Sequence, residues 1–116
     1  MKPQTQAALE AATESTMLAF GLNAQMVKTC EELGELTTAL CKRLNGSPVS
    51  DAQIVDEVAD VLIMANQMRH TFGADAVDDR IVYKLNRTME FIRTKKGQSH
   101  ESETHGDSEK AQRTTL

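Results

Sequence analysis

From Leu22 to Leu44, apolar side chains return every three or four positions, as Met26, Cys30, Leu33, Leu36, Leu40 and Leu44. That spacing lays them along one stripe of an α-helix and does not fit the two-residue alternation of a half-buried strand. The same period recurs downstream. Ile54, Val58, Val61, Leu62, Ala65, Met68 and Phe72 mark a helix that starts after Ser50 and ends near Gly73. Val77, Ile81, Leu85 and Ile92 mark another, from Asp75 to Arg93. Upstream, Pro3 suits a first helical turn, and Gln4 to Phe20 is rich in Ala, Glu, Met and Leu before Gly21 interrupts. Asn45-Gly46-Ser47-Pro48 is a stop-and-turn cluster, and Ser50 with Gln53 three residues on forms a capping box. Neither strand alternation nor an internal repeat is present. The expected fold is all-α: a four-helix bundle over residues 1–93, small enough that oligomerisation completes its core.

Composition narrows the function. With 116 residues the chain fits one domain. Residues 94–116 contain only Ala111 and Leu116 as hydrophobic positions, so this polar stretch reads as a disordered C-terminal tail. Its basic and acidic residues cancel, which leaves the net charge of −4 on residues 1–93. An acidic balance argues against a partner nucleic acid, whose binders carry a basic excess. No apolar run approaches the roughly 18 residues of a membrane span. Met1 to Ala12 lacks the charged and apolar regions of a secretory signal. Cys30 and Cys41 make neither a disulfide framework nor a four-ligand zinc site, and read as buried, reduced thiols of a cytoplasmic protein.

The functional signal is carboxylate spacing. The second helix carries Glu31-Glu32-Leu33-Gly34-Glu35 and the third Asp56-Glu57-Val58-Ala59-Asp60. Residues three or four apart share a helix face, so Glu32 pairs with Glu35 and Glu57 with Asp60. Antiparallel packing brings the two pairs face to face. Four converging carboxylates repel one another unless cations or protons join them. Hard oxygen donors of this kind suit Mg²⁺, with Mn²⁺ as a substitute. The bland alternative is a solvated acidic face, with Asp56, Glu57 and Asp60 favouring an early helical turn. Against it, Glu57 falls within an arc of Val61, Met64 and Met68. Glu31 points nearly 100° away from Glu32 on a helical wheel and is either a supporting group, a general base or simply solvated.

These two motifs, with Phe20-Gly21 and Gln25 before the first and Asp60-Val61-Leu62-Ile63 across the second, resemble the MazG-like all-α nucleoside triphosphate pyrophosphohydrolases over residues 18–93. The resemblance implies hydrolysis between the α- and β-phosphates, giving a nucleoside monophosphate and pyrophosphate in nucleotide-pool housekeeping. It implies Mg²⁺ held by Glu32, Glu35, Glu57 and Asp60, with Glu31, Glu32 and Glu35 as the catalytic motif.

Candidate substrate contacts surround this core. Arg80, Lys84 and Arg87 share one face of the fourth helix and offer cations to phosphates, or form an ordinary basic surface. Lys84 matches a basic position that follows the second motif in similar enzymes. Lys28 shares the Glu32 face, where it either meets phosphate or salt-bridges Glu32. Gln25 lies on that face too and either contacts base or sugar or is an exposed helix amide. Phe20 is the candidate for stacking on a base in a chain with one Tyr and no Trp. The methionines read as core filler. The expected assembly is a homodimer or homotetramer. The competing functions are a phosphoribosyl-ATP-type pyrophosphatase, which shares the acidic logic, and a non-catalytic helical dimerisation module.

Overall fold

The computed structural model describes residues 1–98. Its four α-helices are α1 (Pro3–Phe20), α2 (Leu22–Leu44), α3 (Asp51–Phe72) and α4 (Ala74–Gln98), and the described residues include no strand. The all-α expectation therefore holds. None of these helices is long and apolar enough to cross a membrane. Helix α4 continues past Arg93 to Gln98, so the first residues of the polar C-terminal stretch are helical; residues 99–116 lie outside the described part.

The chain divides into two compact units, Met1–Gly73 and Ala74–Leu116. In the first, α3 packs against both α2 and α1. The breaks between helices follow local chemistry. Gly21 has φ +83° and ψ 161°, a conformation that costs little only without a Cβ, so a single residue separates α1 from α2. Ser50 caps α3. Its hydroxyl accepts from the Gln53 backbone amide at 3.1 Å, and the Gln53 side chain accepts from the Ser50 amide at 2.9 Å. The connection into this cap is tied down by Arg43, which donates to the Val49 carbonyl and the Asp51 carboxylate, both at 2.8 Å.

Packing in the first unit is unusually polar. Among the described residues, Met64 is the one buried hydrophobic residue, while Thr13, Gln25, Glu32, Asn66 and Gln67 are buried polar ones. Four of them, all but Glu32, pair across helices. Asn66 donates to the Thr13 hydroxyl at 2.8 Å across α3 and α1, and Thr13 in turn donates to the Leu9 carbonyl at 2.8 Å. Gln25 Nε2 donates to Gln67 Oε1 at 2.5 Å across α2 and α3. Arg69 pairs with Glu10 at 3.5 Å.

Several expected core positions are not covered. Val58, Leu62 and Phe72 are exposed, as are Met26 and Met89, and Ile81 and Leu85 of the expected α4 stripe. Cys30 and Cys41 are likewise exposed rather than buried. For the α2 positions the reason is the orientation of that helix. It turns the Gln25–Glu32 side inward and leaves the side bearing Cys30, Leu33 and Leu40 open.

Candidate functional site

The site is built on the facing sides of α2 and α3. Helix α2 contributes Gln25, Lys28, Glu32 and Glu35, at the three- and four-residue steps that keep side chains on one face. Helix α3 contributes Glu57, Asp60 and Gln67. Moving two turns from Glu32 to Gln25 along α2 and two turns from Asp60 to Gln67 along α3 leads from one cross-helix group to the next. That is the antiparallel register expected from the sequence.

At one end of this seam, Glu32, Glu35, Glu57 and Asp60 each place a carboxylate oxygen so that all four lie within 4.8 Å of one another. Glu32 is 5% exposed. One of its oxygens, Oε1, lies 3.0 Å from Lys28 Nζ. The other, Oε2, is sealed from solvent with no hydrogen-bond partner, and so is Glu57 Oε2. A buried carboxylate oxygen without a donor is costly, and two in one cluster single out the place where a positive group belongs.

The electrostatics divide the cluster. The hydrogen bond from Lys28, reinforced by its charge, holds the Glu32 carboxyl below its ordinary pKa. The same contact raises Lys28. The charges of Glu32 and Glu57 push Glu35 up. Loss of hydration pushes Asp60 up, with the Glu32 charge adding to it. Lys28 thus offsets one acid and leaves the others in mutual repulsion, which a divalent cation relieves. The donors are hard oxygens, without nitrogen or sulfur, and fit Mg²⁺ or Mn²⁺.

Two cavities border the cluster. A cavity of about 540 Å³ is lined by Phe20, Gln25, Lys28, Glu32, Asp60 and Gln67, with Met64 and Ile63 giving it an apolar wall. A second, of about 580 Å³, is lined by Glu35, Glu57, Asp56 and Lys42. Glu31 lines both. Of the residues singled out in the sequence, the structure brings Phe20, Gln25, Lys28, Glu31, Glu32, Glu35, Glu57 and Asp60 to these cavities.

No family model, curated protein or solved structure matches the chain. The site is therefore read from its own geometry.

One sequence expectation needs correction here, and one pair of alternatives is decided. Gln25 is buried at 6% exposure, not an exposed helix amide, because its side chain is drawn to Gln67. Lys28 salt-bridges Glu32, the second of its two sequence readings. Arg80, Lys84 and Arg87 lie on α4 in the other unit, where Arg80 and Arg87 stack toward the Tyr83 ring at 4.6 and 5.9 Å. Sequence reading missed Gln67 and Lys42. Gln67 was findable: it stands one turn beyond Met64 and two beyond Asp60 on the face that carries the acids.

Proposed function

We propose that the chain is a divalent-metal-dependent pyrophosphohydrolase that cleaves a nucleoside triphosphate between its α- and β-phosphates. The observation that carries this reading is the pair of sealed, unpartnered oxygens, Glu32 Oε2 and Glu57 Oε2, inside a four-carboxylate cluster that opens onto two cavities.

Glu32, Glu35, Glu57 and Asp60 would hold Mg²⁺ or Mn²⁺, which supplies charge neutralisation for the phosphates and acidifies a bound water. Lys28, half exposed beside Glu32, adds a cation within reach of the phosphates. Hydrolysis inserts water across the α–β anhydride. The water oxygen joins one phosphorus, the bridging P–O bond breaks, and nucleoside monophosphate and pyrophosphate leave. Glu31, exposed and lining both cavities, would take the water proton in this reading. Phe20, Met64 and Ile63 offer the first cavity's apolar surface to a base.

The functional unit in this reading is a homodimer or homotetramer. Exposed Leu33, Leu40, Leu62 and Phe72 support it, since apolar surface in that amount is what a second copy covers.

The reaction is tested by incubating the full chain with a panel of ribo- and deoxynucleoside triphosphates and phosphoribosyl-ATP, with Mg²⁺ or with chelator. Pyrophosphate and monophosphate released in equal amounts, and lost with chelator, are the expected outcome. Cleavage of phosphoribosyl-ATP alone reassigns the substrate. No cleavage of any compound overturns the enzymatic reading.

A further inference from the structure

The hydrogen bond between Gln25 and Gln67 uses only half of each amide. Gln25 Nε2 donates and Gln67 Oε1 accepts, which leaves Gln25 Oε1 as a free acceptor and Gln67 Nε2 as a free donor. Among the described residues, the side-chain atoms that are both sealed and unpartnered are the two glutamate oxygens, so neither remaining amide atom is closed off. Both residues line the same cavity as Phe20, Met64 and Asp60. The pair therefore offers one donor and one acceptor to a pocket with an apolar wall.

The placement is specific. The amide pair stands two helical turns from Glu32 and Asp60, about 10 Å along the helix axes at 1.5 Å per residue. That interval holds a sugar and a base if the phosphates sit at the acids. The pair also has a property that a charged or single side chain lacks. If both amides rotate by half a turn together, Gln67 Nε2 donates to Gln25 Oε1, and the bond survives with the free donor and acceptor exchanged. The cavity can then meet an edge that reads acceptor–donor or donor–acceptor.

We propose that the Gln25–Gln67 pair reads the hydrogen-bonding edge of the base, and that its joint rotation lets the site accept donor–acceptor edges, as of uracil or guanine, and acceptor–donor edges, as of cytosine or adenine, alike. This rests on the pyrophosphohydrolase reading for the position of the phosphates, but the amide chemistry is separable from catalysis. Gln67 is the determinant not apparent from the acidic motifs.

The test is binding of deoxyuridine and deoxycytidine to the full chain without divalent cation, followed by isothermal titration or chemical shifts. Both nucleosides are expected to bind, with affinities within a few-fold of each other. Gln67→Met keeps the length and volume of the side chain and removes its amide. It is expected to weaken both by about tenfold, the size of one lost hydrogen bond to a ligand. Mn²⁺ binding by the same variant stays as in the parent, which a collapsed site would not allow. No nucleoside binding, or equal binding by Gln67→Met, overturns the proposal. A preference above about 100-fold for one base overturns the joint rotation. Nucleoside binding without pyrophosphate release overturns the proposed reaction and leaves base reading intact, so the two failures are distinguishable.

Discussion

Lys28 Nζ sits 3.0 Å from Glu32 Oε1, while the other oxygen of the same carboxylate is sealed without a partner. One carboxylate is thus half-neutralised by a residue one helical turn away and half open to something else. A cation entering this cluster would compete with Lys28 for Glu32, so the Lys28 contact favours the cation-free state. Lys28→Met is expected to lower the Tm of the cation-free protein and to enlarge the rise in Tm that Mg²⁺ or Mn²⁺ produces. Thermal unfolding across a metal titration checks both signs. A smaller metal-induced rise in the variant counts against competition at Glu32.

Neutralising the acids separates repulsion from metal binding. Glu35 and Asp60 both resist ionisation, so Glu35→Gln and Asp60→Asn are expected to raise the Tm of the cation-free chain. The same substitutions remove a ligand and are expected to cut pyrophosphate release by at least about 100-fold. A folded, stabilised and inactive variant is the expected combination. Retained turnover in folded Asp60→Asn sinks the ligand assignment.

The pH dependence has a defined direction. A carboxyl whose folded pKa lies above its unfolded value binds protons more tightly when folded, so stability rises as pH falls through the folded pKa. For Glu35 and Asp60, this predicts that the cation-free protein gains stability on acidification from neutral pH toward their ordinary values of 4.5 and 3.8. Glu32 has the opposite sign. Its stabilising contact is present above 4.5 and is lost as pH falls further through its lowered pKa. The Tm should therefore pass through a maximum on the acid side of neutrality. Saturating Mn²⁺ should flatten or reverse the rising limb, because the cation favours the ionised acids. A Tm that falls steadily from neutral pH without metal contradicts the repulsive cluster.

The polar contact between α1 and α3 has its own test. Asn66 donates to Thr13 at 2.8 Å, and both are buried. Asn66→Ala deletes that bond and part of the packing, and is expected to cost about 1–3 kcal/mol of unfolding free energy in denaturant titrations. No loss would mean that α1 contributes little to holding the acid-bearing helices in place.

Much of this arrangement was legible in the sequence, for reasons that differ by element. Gly21, the Asn45–Pro48 turn, the Ser50–Gln53 capping box and Gly73 punctuate the chain strongly, so α2 and α3 are bounded as expected. The acids were legible because their spacing fixes a shared face whatever covers the rest of the helix. The core was not. Hydrophobic periodicity assumes that the apolar stripe faces inward, yet the seam between α2 and α3 is lined by Gln25, Glu32 and Gln67, with Met64 as its apolar member. A Gln–Gln or Thr–Asn pair has no periodic signature, since each residue alone is compatible with a solvated surface. The end of α4 was set too early because a polar composition weakens the case for burial without preventing a helix from continuing.

The central claim is that Glu32, Glu35, Glu57 and Asp60 form a divalent-cation site. Titration of Mn²⁺ into the full chain and into Glu32→Gln, read by calorimetry or manganese spin resonance, tests it most directly. The parent chain is expected to bind Mn²⁺ saturably, Mg²⁺ to displace it, and Glu32→Gln to lose at least about tenfold in affinity. Equal Mn²⁺ binding by parent and variant, or none by either, would contradict the account at its base.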